Sequence, residues 1–318
     1  MAGRARDGTK GKKDEGRMDT RKARHLAQID KRAPWDEWVR LVESELPPPG
    51  CRGRPRIPVT AMLRMLVAQR APAMSDRETE DELRFNESIH WFLQTEEVPD
   101  RTTLCKFRNW LVSQGLCRKI FDLLVAILEA RGAIKKGASL VDSTFVDSPS
   151  STKNRAHARD PDAHSAKKGN VWHFGYKGHV GCDRDSGLAH TVVTTAANVA
   201  DITVAKQCIR KGDKEAYLDA GYVGLDKREE AQEGGELEGV TLFVAAKRST
   251  VKTEEQKFRE HAVSSVRSPA EHPYHYVKDI IGLRRTRYKG LKKNDEMICL
   301  AFALANLLLL SRDRVTRF

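Results

Sequence analysis

The sequence predicts an α/β protein in which a helical N-terminal domain precedes a domain built on a mixed sheet. Apolar residues recur every three or four positions from Ile57 to about Arg131, a spacing typical of amphipathic helices. After Gly137 the pattern changes to short β-prone runs separated by helical segments. The expected division is a disordered basic arm over residues 1–33, a helical domain over 34–135 and a sheet domain over 136–318.

The helical domain is expected to contain four helices after Ile57, and polar caps mark two of their starts. Ser75 followed by Glu78 is a capping-box pattern, in which each side chain accepts a hydrogen bond from the other residue's backbone N–H. Asp100 is the candidate N-cap residue of a second helix, which includes the run TTLCKFRNWL. A further helix is expected from Pro34, ahead of a Pro-Pro-Pro-Gly linker.

The second domain is expected to have the element order βββαβαβα. The runs ASLVDSTFVDS, VWHFGYKGHVGCD and LAHTVVTTAAN predict three antiparallel strands, and EAYLDAGY and VTLFVAA follow through helical crossovers. This is the order of a ribonuclease H-like mixed sheet. Residues 147–170 predict a long polar connection. The apolar run from Met297 to Leu310 has fourteen residues, fewer than the ~20 that span a membrane, and predicts a buried helix.

The charge of the chain favours a polyanionic partner. Lys and Arg number 56 against 44 Asp and Glu, a formal net charge of +12 at pH 7. Nucleic acid fits this excess best, although net charge alone leaves a basic soluble protein as an open alternative. Six cysteines lie far apart, without the close pairs of a metal site or the density of a secreted disulfide framework. We therefore expect a cytoplasmic protein that does not enter a membrane.

Two aspartates are candidates for a metal site. Asp142 lies near the middle of the first expected strand and Asp219 at the end of the fourth, and such strands are neighbours at the sheet centre. Facing carboxylates repel each other unless a cation lies between them, and an all-oxygen ligand set favours Mg²⁺ or Mn²⁺. For either aspartate alone, a structural role at a strand end is the alternative.

Glu271 is the candidate for a third ligand. On a helix Arg267, Glu271 and Lys278 would share one face, so that the acid binds metal while the cations bind phosphates. The alternative is a helix start at Ser268, with Glu271 closing a capping box and Arg267 outside the helix. Pro273 is expected to kink this helix.

The densest basic cluster follows that helix, in the run GLRRTRYKGLKKND. Cations at this density repel one another without an anion, so the run predicts contacts with DNA phosphates. The candidates for DNA binding in this cluster are Arg284, Arg285, Arg287 and Lys289. A solvated basic surface is the alternative.

Several blocks of the sequence carry a family resemblance. They are GRPRIPVTAMLRML, SDRETEDELRFNESIHWF, VPDRTTLCKFRNWL, VDSTFVDSPSST, KKGNVWHFGYKGHVGCD, SGLAHTVVTTAAN, LDAGYVG, AEHPYHYVK and TRYKGLKKND. In this order the blocks resemble the insertion sequence five family of bacterial DDE transposases, within the insertion sequence four superfamily. By this resemblance Asp142, Asp219 and Glu271 correspond to the three catalytic acids. Arg267 and Lys278 correspond to the cations of the family's Tyr, Arg, Glu and Lys signature.

The resemblance implies metal-dependent cleavage and strand transfer of insertion-sequence ends, with two Mg²⁺ or Mn²⁺ ions held by the three acids. The partner would be double-stranded DNA, both the terminal inverted repeats and the target, and a homodimer or higher oligomer would join two ends. A helix-turn-helix-like pair within residues 60–113 would bind the repeats. The signature tyrosine falls at Ser264 in this chain.

Two other classes of protein remain open at this point. One is a transposase-derived DNA-binding protein that no longer cuts. The other is a ribonuclease H-like nuclease that hydrolyses DNA without joining it.

Overall fold

The computed structural model of the protein describes residues 20–48, 55–155, 157–246 and 253–310. The chain folds as two compact units, and the boundary falls between Gln114 and Gly115. The first nineteen residues of the expected basic arm lie outside the described residues. Most of the rest of that arm is a helix, α1 (Arg21–Arg32).

Helix α1 is part of the first unit, because its narrow apolar stripe is buried there and one of its acids forms an ion pair. Ala23, Leu26 and Ile29 recur at intervals of three and are fully buried. Asp30 forms an ion pair with the buried Arg64, with 2.7 Å between Oδ1 and Nη1. The charged composition of the segment obscured this stripe, so the expectation of a disordered arm is corrected over α1.

The first unit contains the helices expected around Trp38, Met62, Leu83 and Leu104, together with one short helix that was not expected; the fourth helix expected after Ile57 lies in the second unit. After α1, the helices of the first unit are α2 (Trp35–Ser44), α3 (Val59–Arg70), α4 (Asp76–Phe85), the short α5 (Glu87–His90) and α6 (Arg101–Gln114). The capping box of Ser75 and Glu78 is formed. Asp100 Oδ1 accepts hydrogen bonds from the backbone N–H groups of Thr102 and Thr103, at 2.7 and 2.9 Å. These contacts confirm both predicted helix starts.

A mixed sheet forms the centre of the second unit. Its strands are β1 (Ala138–Asp147), β2 (His164–Lys168), β3 (Val171–Asp183), β4 (Ala189–Ala196), β5 (Glu215–Leu218) and β6 (Thr241–Val244). The strand order is β2-β3-β1-β5-β6, and β4 also pairs with β3. Strand β1 is antiparallel to β3 and parallel to β5, and β5 is parallel to β6. The predicted α/β fold with a ribonuclease H-like mixed sheet is confirmed, and β1 lies in its middle.

Strand β2 falls within the segment that the sequence analysis expected to be a polar connection. It pairs with the first part of β3 as a hairpin, in which Lys168 lies opposite Val171. Its sequence, HSAKK, has no apolar alternation, so the strand depends on its partner rather than on its own pattern. The connection is also anchored at Asp160, whose Oδ2 accepts hydrogen bonds from the Tyr176 hydroxyl at 2.6 Å and from the Gly290 N–H at 3.0 Å.

In the second unit, the helical segments that connect β4 to β5 and β5 to β6 are shorter than predicted. The helices of this unit are α7 (Leu116–Ala130), α8 (Ala205–Cys208), α9 (Glu254–Arg267), α10 (Glu271–His275) and α11 (Leu291–Leu309). The helical crossover expected between β4 and β5 consists of one 3₁₀ turn and α8. In the helical crossover expected between β5 and β6, the structure has 3₁₀ turns at Leu225–Lys227 and Glu229–Ala231.

Helix α7 belongs to the second unit, whereas the sequence analysis placed it in a helical domain ending at residue 135. It packs on α11, whose apolar residues are buried on every side, as predicted. Glu296 of α11 accepts hydrogen bonds from the N–H groups of Cys117 and Arg118, at 2.8 and 3.2 Å, and so caps the start of α7. Periodicity predicts an apolar face but not the domain that covers it, and the domain boundary is corrected accordingly. None of the described helices has the length and apolar character needed to cross a membrane.

Candidate active site

Two aspartates stand side by side where β1 and β5 meet. Val141 and Leu218 are partners in this parallel pair; Asp142 follows Val141 on β1, and Asp219 follows Leu218 just past the end of β5. The prediction that the strands carrying these acids are neighbours is confirmed. The pair lies at the end of β5, where the chain leaves the sheet.

Each aspartate uses one oxygen in a local backbone hydrogen bond. Asp219 Oδ1 accepts from the Gly221 N–H at 2.8 Å and caps the 3₁₀ turn Ala220–Tyr222. A Cβ at position 221 would lie 2.9 Å from that oxygen, so glycine leaves room for the carboxylate. Asp142 Oδ1 accepts from the Ser143 N–H at 2.8 Å. Among the described residues the second oxygen of neither acid accepts a hydrogen bond, so both are available to a ligand.

The environment of Asp142 opposes its negative charge. The pKa of Asp142 is raised to about 6, first by burial, and the neighbouring charge of Asp219 contributes to the rise. The Ser143 N–H and the charges of Arg267 and Lys168 act in the opposite direction and lower this pKa. A cation bound between the aspartates would offset both the burial and the repulsion.

Three cations lie within electrostatic range of Asp142. Arg267 and Lys168 both lower the pKa of Asp142 through their charges. Lys278 is half-buried, and its own pKa is lowered by burial and then by the charges of Lys168 and Arg284. The charge of Asp142 opposes that shift. Burial and like charges disfavour the charged ammonium form of Lys278. An anionic ligand bound next to Lys278 would offset this effect and favour the ammonium form.

Glu271 lies on the same helical segment as two of these cations. The backbone is helical from α9 through the 3₁₀ turn Ser268–Ala270 and α10 to the π-helical turn Tyr276–Ile280. Arg267 therefore ends α9 within this segment rather than outside it. Ser268 forms no capping box, so the structural alternative for Glu271 is not realised. The Glu271 side chain is exposed and makes no hydrogen bond or ion pair with a described residue.

The acids fit a divalent ion by their chemistry, since paired carboxylates with unused oxygens are ligands that Mg²⁺ and Mn²⁺ prefer. The structure brings Asp142 and Asp219 together. Within the described part of the chain, no three His, Cys, Asp or Glu side chains are gathered into a metal site. Glu271 thus lies one helical turn after Arg267, but among the described residues the structure does not bring it into a three-ligand cluster with the aspartates.

Comparison with protein families decides the class of protein. Residues 134–307 match the family described as Transposase DDE domain, which is more than half of the chain. The chain belongs to the DDE transposase family. Residues 15–110 match a second family, described as Transposase domain (DUF772). A solved structure, described as the cryo-EM structure of the piggyBac transposase synaptic complex with hairpin DNA, is 11% identical to it, with a TM-score of 0.43 over 93% of this chain and 73% of that chain.

The protein is therefore a DNA transposase, an enzyme of polynucleotidyl transfer whose partner is DNA. Transposases of the DDE class generally use divalent metals. The family match begins just before β1 and ends within α11, so it includes all three candidate acids.

The basic cluster of the transposase runs past the end of β1. Arg284 pairs with Asp279, and Lys289 Nζ donates to the Ala158 carbonyl oxygen at 3.2 Å. Arg285 and Arg287 are exposed. The segment is held in place by its backbone, since the Asp147 N–H donates to the carbonyl oxygen of residue 284 at 3.1 Å. The cluster therefore presents cations at the same end of β1 as Lys278, which the charge of Asp147 also affects.

Two tyrosines near Asp142 were missed by the sequence analysis. The hydroxyl groups of Tyr222 and Tyr274 are buried without a hydrogen-bond partner among the described residues. Burial raises the pKa of each phenol, and the negative charge of Asp142 adds to both shifts. Each tyrosine stands three residues after a candidate acid, Asp219 or Glu271. That spacing places two hydrogen-bond donors near the site.

Asp201 is a further acid that the sequence analysis did not select. Its Oδ1 accepts a hydrogen bond from the Lys177 ammonium at 2.9 Å, and Lys177 is almost fully buried. Its Oδ2 lies 3.7 Å from where a Cβ of residue 221 would stand, close to the turn that Asp219 caps. Because the Lys177 ammonium neutralises the Asp201 carboxylate, we infer that Asp201 stabilises this turn rather than binds a metal.

Proposed function

We propose that this transposase cleaves the ends of an insertion sequence and transfers the cut strands to target DNA, as a member of the insertion sequence five family. The observation that carries the proposal is that Asp142 lies next to Asp219 and within range of the charges of Arg267, Lys168 and Lys278. The acids supply metal ligands and the cations supply contacts for the phosphates on either side of the cut bond.

Asp142 and Asp219 would hold two divalent ions together with Glu271. When bound, such a pair of ions activates the attacking hydroxyl and stabilises the leaving oxygen of an in-line displacement. Support for Glu271 comes from its unpaired side chain and from its place one helical turn after Arg267. A rotation of its exposed side chain requires no change in the core, so Glu271 is the acid free to complete the site.

Arg267 and Lys278 would orient the DNA strand rather than take part in proton transfer. Arg267 has a buried Nε without a hydrogen-bond partner among the described residues, and this donor suits a phosphate oxygen. Lys278 has a depressed pKa caused first by burial, so binding a phosphate would relieve an unfavourable charge. Arg284, Arg285, Arg287 and Lys289 would extend the contact along the DNA backbone.

The first unit would bind the terminal inverted repeats through a helical pair within residues 60–113. Helix α4 lies in this range and α6 ends one residue beyond it, and the two are linked by the ion pair of Arg108 with Asp76, 2.6 Å from Nη1 to Oδ1. A dimer or larger assembly would bring two element ends together. The described cysteines are all free thiols, which fits action on DNA in the bacterial cytoplasm.

A strand-transfer assay with Mg²⁺ tests the proposal. The substrate is DNA that carries the inverted repeats flanking the gene, together with a supercoiled target plasmid. We expect cleaved and joined products from the wild type, none from Asp142→Asn or Asp219→Ala, and full activity from Asp226→Ala, which removes an exposed acid. Equal cleavage by Asp219→Ala and the wild type would rule out the site. Cleavage without joined products would favour a nuclease, and binding without cleavage a silent DNA-binding protein.

A further inference from the structure

The tip of the β2–β3 hairpin exposes two large apolar side chains. Val171 is 58% exposed and Trp172 is 69% exposed, whereas the other described tryptophans are at least partly covered. A tryptophan buries roughly 150–250 Å² when it is covered by a partner, so leaving it in water forgoes a large stabilisation. Lys167 and Lys168, on the opposite strand of the hairpin, are also exposed.

The pairing of the hairpin places an aromatic ring and a cation on one face. Trp172 lies directly opposite Lys167, so their side chains share a face of the ribbon. On the other face Lys168 lies opposite Val171. Both faces therefore combine an apolar group with a positive charge, a combination that suits a nucleobase next to its phosphate.

The base of the hairpin is fixed to β1. His173 Nδ1 lies 2.9 Å from Asp147 Oδ1, and the His173 ring stacks on Phe145 with 4.4 Å between centroids. A Cβ at Gly175 would lie 2.3 Å from the Val146 carbonyl oxygen, so β3 passes the end of β1 at a distance that only glycine permits. These contacts hold the hairpin as a defined projection of the sheet.

The hairpin also lies near the acids. The charge of Lys168 acts on the carboxyl of Asp142 and on the ammonium of Lys278, so the Lys168 side chain lies within electrostatic range of both. A DNA strand that touched the hairpin tip would therefore run close to the position proposed for cleavage.

We propose that the β2–β3 hairpin binds the DNA strand beside the cleavage site, with Trp172 stacked on an unpaired base and Lys167 and Lys168 against the adjacent phosphates. This inference rests on the proposed function, in which DNA is cut at Asp142 and Asp219. The occupant is an unpaired base because a paired base inside a duplex offers no free ring face to a side chain. The two lysines favour this polyanion over an uncharged apolar partner.

The test compares two DNA probes of the same random sequence, a blunt duplex and a duplex with a short single-stranded overhang. The overhang carries 2-aminopurine as its first unpaired base, since stacking on an indole quenches this fluorophore. The full-length proteins are the wild type, Trp172→Ala, Trp172→Phe and a matched control, Phe258→Ala, which removes an aromatic ring that is 79% exposed on α9. Circular dichroism and thermal unfolding check that each variant is folded.

We expect the wild type to quench 2-aminopurine and Trp172→Ala to lose the quenching. The variant should bind the overhang probe about 5- to 150-fold more weakly, the range for one base stack, and the blunt probe with unchanged affinity. Trp172→Phe should retain most of the affinity, and Phe258→Ala all of it. Lys167→Ala should weaken binding of both probes.

Two results would overturn the inference while leaving the proposed function intact. One is equal binding of the overhang probe by Trp172→Ala and the wild type. The other is a loss of self-association in Trp172→Ala without DNA, measured by analytical ultracentrifugation, together with unchanged quenching, which would assign Trp172 to a second copy of the chain. Failure of the wild type to bind either probe would instead count against the proposed function itself.

Discussion

Asp142 and Asp219 are adjacent because Val141 and Leu218, the residues before them, are partners in the parallel β1–β5 pair. A strand pairing in the sheet core thus fixes the relation between two acids that are far apart in the sequence. The arrangement is unfavourable on its own, since burial and the charge of Asp219 both raise the pKa of Asp142.

Asp142→Asn is expected to stabilise the metal-free protein above pH 6. The pKa of Asp142 rises from 3.8 to about 6 on folding, so the wild type loses stability as pH rises between those values. The Asn variant lacks this loss, and its advantage above the window is at most about 3 kcal/mol at about 1.4 kcal/mol per pKa unit. Urea unfolding between pH 3.8 and pH 6 and above measures this difference in the free energy of unfolding, with Asp226→Asn as the control. If Asp142→Asn were no more stable than the wild type above pH 6, the charge of Asp142 would not be buried.

Lys278→Ala is expected to reduce the salt dependence of DNA binding. Loss of one phosphate contact lowers the slope of log affinity against log salt by about 0.9, so the affinity lost is largest at low salt. Lys136→Ala, which removes an exposed lysine just before β1, is the control and should leave the slope unchanged. Fluorescence anisotropy over a salt series measures both; an unchanged slope for Lys278→Ala would show that this ammonium does not contact phosphate.

Gly175→Ala is expected to destabilise the sheet, whereas Gly178→Ala on the same strand is tolerated. A Cβ at position 175 would lie 2.3 Å from the Val146 carbonyl oxygen, but at position 178 the nearest atom is 3.6 Å away on Ile298. We expect a loss of about 2–4 kcal/mol for the first variant and less than about 1 kcal/mol for the second. Denaturant midpoints compare them directly, and similar midpoints would mean that β3 relaxes away from β1.

Tyr176→Phe and Tyr274→Phe are expected to differ in stability although both remove a buried hydroxyl. The Tyr176 hydroxyl donates to the buried Asp160, so its loss should cost about 1–3 kcal/mol. The Tyr274 hydroxyl has no partner among the described residues, so its loss should be neutral or stabilising. If calorimetry showed that Tyr274→Phe costs as much as Tyr176→Phe, the Tyr274 hydroxyl would have to be hydrogen-bonded in the folded protein.

Much of the fold could be predicted from periodicity and caps. The alternation around Asp142 and the short apolar run before Asp219 were sufficient to predict two neighbouring central strands. The capping box at Ser75 was sufficient to predict the start of α4. These features are local, and the sequence pattern records local preferences directly.

The parts that could not be predicted depend on contacts between distant segments. Strand β2 has a polar sequence and exists through its pairing with β3, so the exposed Trp172 and the Lys168 charge near Asp142 were not foreseen. Helix α7 belongs to the second unit, where it packs on α11 and is capped by Glu296. The position of Glu271 likewise depends on side-chain rotation at the end of a helix, which no local pattern determines.

The most direct test of the account locates the metal ions. A crystal of the protein with a DNA end and Mn²⁺, measured at the manganese absorption edge, gives the ion positions by anomalous scattering. The account predicts anomalous peaks between Asp142 and Asp219, with an oxygen of Glu271 completing the coordination. Peaks bound by other acids, or ions coordinated by the two aspartates while Glu271 remains in solvent, would contradict it.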